Sequence, residues 1–231
     1  ILGPHIVPHQ LAGKEGTGAE EAAWTLMSLA DHCTKGKRKP QHMYLCLADT
    51  ETAYDTVWRD GLYFILHAYG VRGRLLRMII AWHEGSNTFG KWHNVTSARV
   101  AFNRGLRQGC IIAPILYKAF INPLIAQTPT HLPHPDEDLL KEAFSTGLAM
   151  EDGVTVEHEG TTMMVPALLF LDDVAIATQE GDALQRQLDR YTTHCARWRY
   201  DLHVDKFHVL VYGARTPTRT WTQGKRGPGC R

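Results

Sequence analysis

The chain has 231 residues, 44% of them hydrophobic and 21% charged, which is enough apolar mass for a packed core and excludes disorder throughout. Lys and Arg number 25 against 24 Asp and Glu, a formal net charge of +1, so a case for a nucleic-acid partner must rest on local patches. Five cysteines (Cys33, Cys46, Cys110, Cys195, Cys230) lie scattered without a C-x-x-C pair, which argues against a disulfide framework or zinc knuckle and for a reducing compartment.

No apolar run approaches the roughly 18–20 residues of a membrane span, and no charged-then-apolar start reads as a signal peptide. The first residue is not Met, and the chain reads as a piece of something longer. Residues 1–18 are rich in Gly, Pro and His and read as irregular. From Glu20 to Cys33, apolar residues recur at spacings of three and four and predict an amphipathic helix, closed by the basic run Lys35 to Lys39. Met43 to Ala48 is of strand length and ends at Asp49. Helical patterns follow over 56–68 and 72–83, and a hairpin is predicted between Thr88 and Phe102. Gly105 to Gly109 reads as a turn feeding a helix over 111–125, with Pro114 in its first turn. Residues 127–149, rich in Pro, His and acids, read as a loop or small insertion. Thr155–Val156 and Met163–Thr178 read as strands, the second interrupted at Asp172-Asp173. A helix is predicted over 182–198, with Leu184, Leu188, Tyr191 and Cys195 on one face, and a last strand over 207–212. The tail 214–231, with five basic residues and no acids, is expected to be loosely ordered. Mixed elements without strand–helix alternation favour an α+β fold.

The run Ala167 to Ala177 sets Asp172 and Asp173 inside an otherwise unbroken apolar stretch. Burying unpaired charge is costly, so the pair lies at an exposed turn or faces a cation. A tight hairpin tip prefers Gly or Asn at positive φ, and neither is present, which shifts weight towards a metal. Asp49, at the end of its own strand-like run, repeats the arrangement. Two carboxylate-bearing strand ends side by side can hold two Mg²⁺ ions and leave positions for phosphate, as in-line phosphoryl or nucleotidyl transfer requires. The turn Arg104-Gly105-Leu106-Arg107-Gln108-Gly109 leads into an apolar helix whose first amides can face phosphate or a base.

These segments together resemble reverse transcriptases. Asp49-Thr50-Glu51-Thr52-Ala53-Tyr54-Asp55-Thr56-Val57-Trp58 is similar to the first palm motif, D-x-x-x-A-[FY]-D-x-V, in the form found in LINE-type retroelements that lack long terminal repeats. Arg104 to Pro114 resembles R-G-x-x-Q-G-x-x-x-[SA]-P, Phe170 to Asp173 stands where the family has [FY]-x-D-D, and Trp198 to Val211 is similar to the helix–strand segment with its Lys. The resemblance covers about residues 10–212. It implies a right-hand polymerase palm over 41–213, with part of the fingers over 1–40. Asp49 and Asp172 would be the main ligands of two Mg²⁺ ions, with Mn²⁺ as a substitute, and Asp173 and the Thr50 carbonyl would assist. Tyr54 matches the gate that rejects a ribose 2′-OH, because a ring packed under the sugar leaves no room for the hydroxyl. Gln108 and Gly109 would contact the incoming nucleotide and template, and Lys206 matches the Lys that protonates the leaving pyrophosphate. The implied partners are an RNA template, a DNA primer and deoxynucleoside triphosphates, with no membrane, and the expected location is the nucleus.

The chain also departs from the pattern. Gln10 to Ala22 stands where relatives carry Q-x-G-F-R-x-G-R, so that Lys14 and Thr17 replace two arginines. Lys grips phosphate only as a point charge, so weaker triphosphate binding is expected at Lys14. Leu171 replaces the usual Ala beside the aspartates, and no thumb is recognisable after Val211. Three readings follow: an RNA-directed DNA polymerase fragment, an inactive relic that binds nucleic acid or protein, and another two-metal enzyme such as a nucleotide cyclase. The template-positioning motif at Arg104 to Pro114 argues against the last. Thirteen histidines raise a zinc reading, but His131/His134 and His32/Cys33 lack a four-ligand set.

Overall fold

The computed structural model describes residues 6–14, 16–35, 42–125, 127, 136–158 and 160–213. Helix α1 (Ala19–Lys35) starts where the Glu21 carboxylate accepts the Gly18 amide at 2.6 Å, and acids fill its first turn, where the helix dipole favours them. It buries Leu29, Ala30 and Cys33 and leaves Trp24 and Met27 in solvent. Beyond Lys35, the basic run that follows it lies outside the described residues, as does the tail 214–231. Strand β1 (Met43–Ala48) has the bounds its apolar run predicts.

The helical pattern over 56–68 holds α3 (Arg59–Ala68), and a short α2 (Ala53–Thr56) precedes it across a break at Val57 and Trp58. The cause lies in a distant segment: the carbonyls of Tyr54 and Val57, which a continuous helix would use, accept the amides of Leu106 (2.7 Å) and Gly105 (2.8 Å) instead. After α4 (Gly73–His83) comes an exposed arm of two nested antiparallel ladders, β2 (Asn87–Thr88) with β5 (Val100–Ala101) around β3 (Lys91–Trp92) with β4 (Val95–Thr96). Helix α5 (Ala113–Ile121) is shorter than its pattern, because Asn122–Leu124, with Pro123 inside, tighten into a 3₁₀ turn. The stretch 127–149, expected as a loop or insertion, holds α6 (Glu137–Phe144). The Asp136 carboxylate caps it by accepting the Leu139 amide at 3.2 Å, and Leu140, Ala143 and Phe144 are buried in the main core. Residues 128–135 lie outside the description.

Strands β6 (Val154–His158) and β7 (Thr161–Val165) form a separate hairpin. The run expected as one interrupted strand also breaks at Pro166, giving β8 (Ala167–Phe170) and β9 (Asp173–Thr178). Helix α7 (Gly181–Trp198) and β10 (His208–Tyr212) complete the order.

The central sheet runs β10-β1-β9-β8, every pair antiparallel. Alternation along the strands splits its side chains between two cores. Cys46, Ala48, Leu169, Val174 and Ile176 face the layer of α3, α5 and α7, where Leu62, Phe120, Leu184, Leu188 and Tyr191 pack. Leu45, Leu168, Ala175 and Ala177 face α1. A Leu or Ile sunk fully into the first core is worth about 1.5–3 kcal/mol, and that core is much the larger, so it holds the sheet rigid from behind. The outer edge of β8 is covered by residues 9–11: Leu11 N–H donates to Leu169 O (2.8 Å) and Leu169 N–H to His9 O (2.9 Å). No helix among the described residues is long and apolar enough to cross a membrane.

Candidate active site

The pairing of β1 with β9 ends at Ala48 opposite Val174, and one more residue sets Asp49 against Asp173. Phe170 pairs with Asp173 across β8 and β9, which leaves Leu171 and Asp172 as a two-residue hairpin tip. This tip contains no Gly or Asn, and Leu171 itself takes a φ of 56°. That left-handed conformation costs an L-residue about 1–2 kcal/mol. The exposed turn, one of the two readings of Asp172-Asp173, is thus what forms, and the lack of Gly or Asn does not prevent it because Leu171 takes the left-handed position. The strained amide is held, since Leu171 N–H donates to Gln10 Oε1 at 3.1 Å.

Lys206 completes this end of the sheet. Its ammonium donates to Asp49 Oδ2 at 2.6 Å, and the hydrogen bond to Asp49 is the main reason its pKa is raised. The Val204–Lys206 turn is laced to the Asp49 segment: His203 N–H donates to Asp49 O and Glu51 N–H to Asp201 O, both at 2.9 Å. Those two bonds flank Thr50 and leave its carbonyl out, while the buried Thr50 hydroxyl donates to Asp172 O at 3.5 Å. The Asp173 carboxyl is pushed above the usual carboxylate range by burial first, then by the charges of Asp172 and Asp49, against an opposing pull from Lys206. Three carboxylates thus share one ammonium.

Tyr54, half-buried, stacks on Tyr117 of α5 with ring centroids 4.9 Å apart. Burial raises its pKa, and the field of Asp172 raises it further, which sets the ring beside that carboxylate. The turn 104–109 docks on the same helix segment. Gly105 has a φ of +83°, and a Cβ there would meet Asp55 O at 2.6 Å, so both conformation and space demand glycine. Gln108 Nε2 donates to Asp55 Oδ1 at 3.3 Å, and Gly109, with a φ of +78°, faces open space. Asp49, Thr50, Tyr54, Asp172, Asp173 and Lys206 therefore converge, with Gln108 and Gly109 beside them. Lys14 is not drawn into this cluster: its ammonium donates to Pro8 O at 2.6 Å, and burial and the charge of Lys118 lower its pKa.

Two supporting residues escaped the sequence reading. Tyr117 carries no local signal beyond the apolar pattern of α5. Arg59 is buried, donates from Nε to Gly105 O (2.9 Å) and from Nη1 to His83 O (3.1 Å), and lies over the Phe102 ring. Its signal was an Arg in the apolar period of α3. Between α1 and the sheet, a cavity of about 500 Å³ lined by Ala22, Leu26, Leu47 and Phe170 opens onto Asp49, Asp173 and Lys206. Oxygen-only donors in excess over cations suit a hard divalent ion. Among the described residues, no three His, Cys, Asp or Glu side chains are arranged as a group that could hold a metal ion.

The family described as "Reverse transcriptase (RNA-dependent DNA polymerase)" matches residues 4–223. An RNA-directed DNA polymerase from the mobile element jockey of Drosophila funebris is 23% identical over 174 residues, which are 73% of this chain and 16% of that protein. Among solved structures, apo telomerase from Candida tropicalis, truncated from its C-terminal domain, superposes with a TM-score of 0.58 at 13% identity, covering 87% of this chain and 36% of that one. The same organism's telomerase in complex with a TWJ fragment of telomeric RNA also gives 0.58, at 12% identity over 89% of this chain and 31% of the other. These likenesses show an α+β fold of the telomerase kind. The chain spans about a sixth of the jockey polymerase and a third of the telomerase chains.

Proposed function

Because the chain belongs to the reverse transcriptase family, we propose that it is the late-fingers and palm part of an RNA-directed DNA polymerase, which joins deoxynucleotides to a primer 3′-OH. The observation that carries this reading is the meeting of Asp49, Asp172 and Asp173 with Lys206 and Tyr54 at one end of the sheet. Asp49 and Asp172 would hold two Mg²⁺ ions, or Mn²⁺ in their place, with Asp173 and the Thr50 carbonyl assisting. When bound, such ions neutralise triphosphate charge and activate the attacking hydroxyl. The raised pKa of Lys206 keeps a proton on Nζ at neutral pH, ready for a leaving pyrophosphate. The stacked Tyr54 ring closes the space a 2′-OH would need. Gln108 and Gly109 line the approach of the nucleotide and template.

The RNA complex of the telomerase relative supports an RNA partner. So does the arm 87–107, which carries Lys91, Arg99, Arg104 and Arg107 and no acid. Lys14 belongs to the triphosphate grip only if it leaves the Pro8 carbonyl. Work on chromosomal DNA in the nucleus is the matching location. The deciding experiment is primer extension on an RNA template with Mg²⁺ and deoxynucleotides, comparing the chain with Asp172→Asn. Extension that vanishes in the variant is expected. If neither extends, while Mg²⁺ raises the Tm of the parent alone, the metal site is intact on an incomplete enzyme. No extension and no Mg²⁺ response would sink the reading.

A further inference from the structure

Gln10 is fully buried, and it stands at the Gln that opens the Q-x-G-F-R-x-G-R pattern, a position to which the resemblance gave no role. Its Oε1 accepts two amides, Leu171 N–H at 3.1 Å and Ala12 N–H at 3.2 Å. Two donors meeting on one atom fix the amide's orientation, because an inverted side chain would set its own NH₂ against both. Its Nε2 is buried with no partner. A buried donor left unsatisfied is a standing penalty, so packing alone does not account for glutamine here. The backbone on either side is stitched to β8 through His9 O and Leu11 N–H. The segment is tied down further by Val7 N–H to Asn122 Oδ1 (2.7 Å) and by Lys118 Nζ to Ala12 O (3.3 Å). Gln10 therefore reaches the hairpin tip from a fixed platform, at the one residue of the tip whose backbone is left-handed and whose successors are Asp172 and Asp173.

We propose that Gln10 is the positioning residue of the carboxylate hairpin: its buried carbonyl locks the Leu171 amide and thereby sets the direction in which Asp172 and Asp173 leave the turn. For its purpose the inference rests on the polymerase reading, but the geometry it asserts does not. Residues that orient metal-binding side chains without touching the metal typically change affinity about 10- to 100-fold when removed.

The test is Gln10→Met, which keeps the volume and removes the acceptor, compared with the parent chain and with Gln10→Glu, which keeps an acceptor in reach. The readouts are hydrogen exchange at the Leu171 amide and Mn²⁺ titration followed by electron paramagnetic resonance. The expected result is loss of Leu171 protection and about tenfold weaker Mn²⁺ binding in Gln10→Met, with protection retained in Gln10→Glu and Tm within a few degrees of the parent. Equal protection in Gln10→Met, or absent protection with unchanged Mn²⁺ affinity, would overturn the proposal. If Gln10→Met does not fold, Gln10→Ser, too short to reach Leu171 and open to water, is read by the same two criteria. A parent chain that binds no Mn²⁺ refutes the polymerase reading instead, and the exchange arm then decides on Gln10 alone.

Discussion

Gly105 and Gly109 bracket one turn and share a positive φ, yet only Gly105 has backbone in the way of a side chain. Gly105→Ala must push the Asp55 carbonyl aside in addition to adopting left-handed backbone, and is expected to cost about 2–4 kcal/mol. Gly109→Ala meets open space and bears the conformational cost alone, about 1 kcal/mol. Urea denaturation of both variants checks the ordering, and equal losses would contradict it. Tyr54 carries a different expectation. Its ring rests on Tyr117, and if it is the gate proposed above, Tyr54→Val should raise the ribonucleotide share of incorporated product about tenfold or more. The measurement is competing extension with ribo- and deoxynucleotides, and an unchanged ratio would remove Tyr54 from the gate.

Helix α7 buries His194 completely, with Nδ1 near the Thr146 hydroxyl at 3.2 Å and the ring stacked on Trp198. Burial, then the charge of Arg197, lowers its pKa from 6.5 to about 3. The fold therefore holds the ring neutral, whereas the unfolded chain takes up a proton below about 6.5. Stability present above that pH is lost as pH falls towards 3, by about 2 kcal/mol at pH 5. His83, its pKa lowered to about 4 by burial and then by the charges of Arg59 and Arg107, adds a loss of the same sign, so urea melts at pH 7 and pH 5 should show a smaller loss in His194→Phe than in the parent. The apolar face of α7 was legible because Leu184, Leu188, Tyr191 and Cys195 repeat at helical spacing, and β1 because six apolar residues end abruptly at an acid. Helix α6 was hidden by the Pro-, His- and acid-rich stretch around it, since its acids face solvent while Leu140, Ala143 and Phe144, with Leu139 partly, turn inward. The break between α2 and α3 was hidden for another reason: the amides that take its carbonyls come from residues 105 and 106, and local periodicity carries no trace of them. At the site, the aspartates stood out from the apolar runs they end or interrupt, and Tyr54 and Lys206 came only through the family resemblance, whereas Arg59 and Tyr117 act through contacts that only the fold creates.

Taken over the whole molecule, charge is nearly balanced, but the exposed arm is one-sided. Replacing Lys91 and Arg99 with Ser should weaken binding to single-stranded RNA. Each phosphate left without its cation makes the slope of log affinity against log salt shallower by about 0.7, so the double variant should change it by about 1.4. An unchanged slope would place the RNA elsewhere. The order of strands in the sheet has a consequence for how the molecule comes into being. Strand β1 precedes both its neighbours by more than a hundred residues, since Tyr44 pairs with Thr178 and Met43 with Tyr212. Such pairing has a high contact order and closes slowly. During synthesis the nascent chain carries an apolar strand with two bare edges, a species prone to self-association, and Asp49 lacks Asp172 and Asp173 beside it until β9 is made. The three aspartates therefore come together only once β9 exists, and a chain cut short before the Asp172 hairpin holds Asp49 without the other two.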